Sequence, residues 1–141
     1  MAVRYLLDTN MVSELVRRPH GVVAQRVARV GEQAVCTSIV VSSEARFGAR
    51  KSASERLRDQ VEAVLAALEV LPLDTPADHE YADLRHHLEQ AGTLIGANDL
   101  LIAAHARALG LTVVTANDRE FRRVPGLTVE NWLADTRPEN A

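Results

Sequence analysis

Short apolar runs alternate with amphipathic segments along this chain, and each run is long enough for only one strand. Ala2 to Leu7 is apolar apart from Arg4 and stops abruptly at Asp8-Thr9-Asn10. That pattern predicts a strand delivering polar residues at its carboxyl end. Ala34 to Thr37, Val70 to Leu73, Leu111 to Thr115 and the weaker Leu127 to Glu130 are further strand candidates, with Pro72 favouring a sheet edge or a strand end. Between them lie helical patterns. Met11 to Arg17 breaks before Pro19, and His20 to Val30 stops at Gly31. Ile39 to Arg50, Ser54 to Glu69 and Thr75-Pro76 to about Ala91 follow, with Pro76 in a permitted first-turn position. Asn98 to Ala108 is the most apolar helix and ends at Gly110. Strands alternating with helices predict an α/β fold with a central, mostly parallel sheet covered by helices. Ligands of such sheets bind beyond the carboxyl ends of the strands. Asp8 and Ala116-Asn117-Asp118 therefore fall on one edge.

Composition removes several classes of function. With 141 residues the chain fits one domain, expected over residues 1–135, with a disordered tail over 136–141. Apolar residues at 47% and charged ones at 25% argue against disorder. No apolar run reaches the roughly 18 residues of a membrane span, and no signal-peptide pattern is present, so no membrane partner and a cytoplasmic location are expected. A net charge of −3 gives no overall basic field to draw in nucleic acid. Cys36 stands alone in an apolar run, which removes disulfide frameworks and thiolate zinc sites and leaves it as a small buried hydrophobe.

Acids stand in unusual places at four points of the chain. Asp8 follows Tyr5-Leu6-Leu7 directly and suits both a helix N-cap and a site at a strand end. At helical spacing Val40, Glu44 and Phe47 share a face, so Glu44 reads as a carboxylate on an apolar stripe. Such a group is costly unless it binds a metal or pairs with an arginine such as Arg46. Asp99 shares its face with Ile102, Ala103 and Ala106, and charge–dipole capping is its alternative reading. Asp118 and Glu120 follow the Leu111 strand and suit either loop solvation or the same site. If these acids converge, each pair about 4 Å apart repels by about 4 kcal/mol at an effective dielectric near 20. A cluster of this kind takes up protons or holds cations. All-oxygen ligands suit Mg²⁺ or Mn²⁺, a typical arrangement for attack on a phosphodiester.

Other chemistries lack their residues. The histidines show no HExxH spacing and read mostly as surface or helix-flank groups. No phosphate-cradling glycine loop and no GxSxG elbow occurs. Thr37, Ser38, Ser42 and Ser43 lack a base partner and read as caps and local backbone bonds.

The motifs now resemble a known family. Leu6-Leu7-Asp8-Thr9-Asn10, Ile95 to Ala106 and Thr115-Ala116-Asn117-Asp118-Arg119-Glu120-Phe121 resemble, in order and spacing, the motifs of PIN-domain ribonucleases, and most closely the VapC-type and FitB-like toxins. The resemblance spans residues 3 to 133. It implies a three-layer α/β/α fold, Mg²⁺- or Mn²⁺-dependent endoribonuclease activity and neutralisation by a small VapB-like antitoxin. It also implies a homodimer that meets operator DNA only through the antitoxin. Carried over by motif, Asp8, Glu44 (in Ser42-Ser43-Glu44-Ala45) and Asp99 take catalytic, metal-holding positions. The fourth position departs from the family, which often has Asn-x-x-Asp-Phe where this chain has Glu120. Glu120 is favoured there, Asp118 is held in reserve, and Asn117 orients Glu120 or a water. Thr9, Asn10 and Thr115 would support the ligands.

The expected reaction is hydrolysis of an RNA phosphodiester by water, leaving a 5′-phosphate and a 3′-hydroxyl. Arg119 and Arg122, with Arg17, Arg18 and Arg123, are candidate phosphate contacts or simply solvated charge. With two Phe, two Tyr and one Trp, stacking platforms are sparse, which favours a structured RNA such as tRNA read by shape. Met11 to Arg17 and Val22 to Val30 offer apolar faces for an antitoxin helix or for the core. Two rivals are weighed. A non-catalytic binding module would use the acids as caps and salt bridges. A haloacid-dehalogenase-like phosphatase would need a second Asp where Asn10 stands and a catalytic lysine that Lys51 is poorly placed to supply.

Overall fold

The computed structural model describes residues 4–134, so the expected tail at 136–141 lies outside the described residues. β1 spans Tyr5–Leu7 and leads directly into α1, Thr9–Arg17. α2 (Val22–Val30) and a single 3₁₀ turn (Glu32–Ala34) precede β2 (Val35–Ser38). α3 (Ile39–Lys51), α4 (Glu55–Ala67) and β3 (Glu69–Leu71) follow. α5 (Ala77–Ala91), α6 (Ala97–Leu109), β4 (Thr112–Val114), α7 (Asp118–Phe121) and β5 (Val129–Glu130) complete the described chain.

The sheet order is β3-β2-β1-β4-β5 and every pairing is parallel, so the expected mostly parallel sheet is parallel throughout. Helices flank it in the three-layer α/β/α arrangement. β1 is central. Leu7 pairs with Thr37 on one side and Val114 on the other. The chain builds outward from β1 to β3, then crosses back to add β4 and β5. The switch point therefore lies between β1 and β4, where strand-end crevices form in such sheets.

Burial on both faces explains the continuous apolar runs. Leu6, Leu7, Cys36, Val113 and Val114 are fully buried, and Met11, Ile102, Ala103 and Phe121 pack around them. Each large side chain buried this way contributes roughly 1.5–3 kcal/mol. α6 is buried over most of its length because its alanines let it lie close to the core. It closes at Gly110, whose φ of +68° only glycine adopts readily, and the Leu111 amide bonds back to the Ala106 carbonyl at 2.9 Å. β4 starts two residues later.

Several boundaries differ from the sequence expectation. α1 starts at Thr9 rather than Met11 because Asp8 caps it, accepting the Met11 amide. α5 starts at Ala77, with Pro76 as its N-cap residue rather than inside the first turn. α7 is too short to show periodicity. Pro72 follows the end of the edge strand β3, as expected. Among the described residues no helix is long and apolar enough to cross a membrane.

Candidate active site

The strand ends bring distant acids to the switch point. Asp8, one residue past β1, is 3% exposed, and its amide donates to the Val114 carbonyl at 3.0 Å. Its carboxylate takes the Met11 amide at 3.1 Å and a hydrogen bond from the Thr115 hydroxyl. Thr115 Oγ1 in turn accepts the Asn117 amide at 2.8 Å, so the loop after β4 is locked to the acid after β1. Asp99 sits half-buried in the first turn of α6, and the Asn117 side chain bonds its carboxylate.

Glu44 and Glu120 flank this pair. Glu44 Oε1 accepts from Thr9 Oγ1 at 2.9 Å, and Oε2 accepts from Asn98 Nδ2 at 3.0 Å. Glu120 Oε1 accepts the Gly96 amide at 2.8 Å, and Oε2 accepts from the Asn117 side-chain amide. Gly96 stands between two of the acids: a Cβ built on it would lie 3.8 Å from both Asp99 Oδ2 and Glu120 Oε1.

The electrostatics record the convergence. Burial pushes Asp8 up to about 6, and the charge of Asp99 adds to that. Burial also pushes Asp99 up to about 6, with Glu120 and Glu44 as the charges that raise it further. The Gly96 amide and Asn117 hold Glu120 below the usual carboxylate range. Two acids are thus reluctant to ionise while a neighbour stays charged. Such an edge stores negative potential that a proton or a cation relieves. Among the described residues no group of three or more Asp, Glu, His or Cys side chains is arranged to hold a metal ion. The glutamates are held instead by Thr9, Asn98, Gly96 and Asn117.

Other expectations are corrected. Asp118 turns away from Asp99: it accepts from Asn131 Nδ2 at 3.1 Å and pairs with Arg122 at 3.5 Å. Of the two candidates after β4, Glu120 is the one beside Asp99. Glu44 does not ride on an apolar stripe, since the buried side of α3 is Val41, Ser42 and Ala49 and Phe47 is 63% exposed. Arg46 pairs with Glu62 rather than with Glu44. Asn10 is exposed, and it meets Asp8 through its backbone amide. Arg17 and Arg18 both bond Glu14, at 3.0 and 2.8 Å. Arg119 and Arg122 lie exposed on and just after α7. His105 is 1% exposed rather than on a surface. Asn98 and Gly96 were missed by sequence reasoning. An Asn immediately before Asp99 was the available signal for the first; a backbone amide leaves none.

A family model described as PIN domain matches residues 5–127. The chain belongs to the PIN-domain family. The relatives place it among VapC ribonucleases within that family. Ribonuclease VapC2 of Rickettsia felis is 36% identical over 130 residues, covering 91% of this chain and 97% of that one. The tRNA(fMet)-specific endonuclease VapC of Salmonella typhimurium is 37% identical over 131 residues, covering 92% and 98%. A crystal structure of DNA-bound VapBC from Salmonella typhimurium aligns with a TM-score of 0.87 at 36% identity, covering 93% of this chain and 99% of the other. Membership of the PIN-domain family disposes of the dehalogenase-like alternative.

Proposed function

We propose that this PIN-domain chain is a metal-dependent endoribonuclease toxin silenced by a small VapB-like antitoxin. The observation that carries the reading is the meeting of Asp8, Glu44, Asp99 and Glu120 at the switch point, in a chain similar along nearly its whole length to VapC ribonucleases. The donor set is all oxygen and anionic. That fits Mg²⁺ or Mn²⁺, which binds through one or two carboxylates and keeps several waters. Asp8 and Asp99 would hold the ion directly, Glu44 directly or through water, and Glu120 would complete the ring. When bound, the ion supplies Lewis-acid stabilisation of the charge developing on the scissile phosphate.

The protein's own groups do the rest. Thr9 and Asn98 fix both oxygens of Glu44, so this carboxylate is aimed to take a proton from the attacking water. Attack by water leaves a 5′-phosphate and a 3′-hydroxyl. Asn117 ties Glu120 to Asp99 and keeps the two acids in register. Arg119 and Arg122 would meet the flanking phosphates. The name of the Salmonella relative makes a structured RNA such as tRNA the first substrate to try.

An apolar groove of about 330 Å³ lies between α1, α2 and α4, lined by Leu15, Ala24, Val27, Val64 and Leu68. It suits an amphipathic antitoxin helix. A second trough of about 300 Å³ runs from Glu44 and Thr9 past Val16 to Leu57 and Val61. A homodimer that reaches operator DNA only through the antitoxin, in the cytoplasm, completes the reading.

The test is cleavage of a tRNA pool by purified protein with Mg²⁺ or Mn²⁺, against EDTA and against Asp8→Asn and Asp99→Asn. Metal-dependent cleavage that both substitutions abolish supports the reading. An intact protein that is indifferent to EDTA and cuts nothing is a binding module instead.

A further inference from the structure

Two side-chain hydrogen bonds tie α6 to α3 and to Ser38, the last residue of β2 and the cap of α3. At one end Asn98 Nδ2 donates to Glu44 Oε2 at 3.0 Å. At the other, His105 Nδ1 and Ser38 Oγ are 2.8 Å apart, with His105 1% and Ser38 0% exposed. Glu44 lies six residues after Ser38, and His105 seven after Asn98, so the two ties run antiparallel. At 1.5 Å per helical residue they stand roughly 10 Å apart along the helices. A single tie lets one helix roll against another, whereas two at this spacing fix both slide and rotation.

The second tie has an arrangement that uses the Ser38 hydroxyl both as acceptor and as donor. Ser38 caps α3, and its Oγ accepts the Val40 amide at 3.1 Å. The hydroxyl proton is then free for His105 Nδ1, which makes the imidazole neutral with its proton on Nε2. Burial, which holds His105 below the usual histidine range, favours that neutral form. Nε2 is buried, with no partner inside ordinary hydrogen-bond limits, and the group that draws on its proton is the Pro72 backbone carbonyl. An imidazole that needs polar partners is a poor filler beside Ala103, Ala104 and Ala106, where an apolar side chain would pack without any.

We propose that His105 is a positioning residue, which through Ser38 sets the register of α3 against α6 and so the placement of the Glu44 carboxylate relative to Asp99. His105 touches neither acid; it acts at the far end of the helix pair that carries them. The inference rests on the ribonuclease reading above. Displacements near 1 Å at a reacting group cost about 100-fold in rate, so a small roll of α3 is enough to matter.

The experiment compares wild type, His105→Leu, His105→Asn, Glu44→Gln and the double variant His105→Leu/Glu44→Gln in single-turnover RNA cleavage, with a melting curve for each. Asn offers a polar atom close to where Nδ1 stands. His105→Leu is expected to lower kcat roughly 10- to 100-fold, with KM for RNA and Tm little changed, and His105→Asn to restore most of it. In the Glu44→Gln background His105→Leu is expected to add less than about twofold, because its effect passes through that carboxylate. A second measurement needs no activity: in ¹³C-Glu-labelled protein the Glu44 carboxyl resonance moves in His105→Leu and returns in His105→Asn. Unchanged kcat, full additivity in the double variant or an unmoved Glu44 resonance overturns the proposal. Should His105→Leu fail to fold, His105→Asn and Ser38→Ala carry the same comparisons. Wild-type protein that cleaves nothing sinks the ribonuclease reading and this inference together; the other failures sink this inference alone.

Discussion

The Thr9 hydroxyl donates to Glu44 Oε1 at 2.9 Å, so the first turn of α1 aims a carboxylate carried by α3. Thr9 is also the residue after Asp8, so one short segment orients two of the four acids. Thr9→Val keeps the shape and removes the donor. It is expected to cost roughly 10- to 100-fold in cleavage rate, the usual loss when a ligand's orienting partner is removed. Thr9→Ser should keep most of the rate, and equal losses in both variants would show that the hydroxyl is not the operative group.

Asp8→Asn and Asp99→Asn should each lower cleavage by about 100-fold or more. They should not unfold the protein. Asn at position 8 can still cap α1, and Asn at 99 removes the charge that Glu120 and Glu44 oppose.

The same shifts set a pH dependence. Asp8 and Asp99 rise from 3.8 to about 6 on folding, so the folded chain binds their protons more tightly than the unfolded chain does. Their contribution to stability is therefore present below about pH 4 and is lost as pH rises through 6. In metal-free buffer Asp99→Asn should melt higher than wild type at pH 7.5 and lose that advantage at low pH. Mg²⁺ should raise the wild-type Tm at pH 7.5 more than at pH 5. Parallel pH–Tm curves for wild type and Asp99→Asn would contradict the account.

Glu120 and Asp118 part company at α7. Glu120→Gln should impair cleavage about 10-fold or more, while Asp118→Asn, whose carboxylate faces Asn131 and Arg122, should stay within about threefold. The reverse ranking would move the fourth acid to Asp118.

Gly96→Ala tests the space between Asp99 and Glu120. The backbone there, φ −58° and ψ 151°, accepts alanine, and the new methyl would meet Asp99 Oδ2 and Glu120 Oε1 at 3.8 Å, ordinary contact distance. Tm should hold, and Mn²⁺ affinity, read by calorimetry, should fall about 10-fold as the methyl takes space between the carboxylates. Unaltered Mn²⁺ binding would place the ion elsewhere.

Much of this was legible in the sequence because the chain is locally consistent. Apolar runs bounded by Asp8 or Gly110 became strands and helix ends where expected. The acids past β1 and in α6 were found for sound reasons, since each breaks an apolar pattern at an element boundary. Glu44 was found for a wrong one: Phe47, which suggested a core face, is exposed, and what sets Glu44 apart is tertiary contact with Thr9 and Asn98. His105 was hidden inside an alanine-rich helix, where periodicity marks burial but not a partner on another helix. The Gly96 amide was invisible because a backbone donor carries no residue signature. α7, four residues long, offers no period to read.

The strand at the middle of the sheet is made of residues 5–7, and its second neighbour pairs Tyr5 with Thr112. A ribosome must therefore release everything from β1 to β4 before that neighbour can close against it, and Asp8 lacks the Val114 carbonyl that anchors its amide until then. The nascent chain is unarmed until β4 has emerged, and the cutting edge comes into being only then.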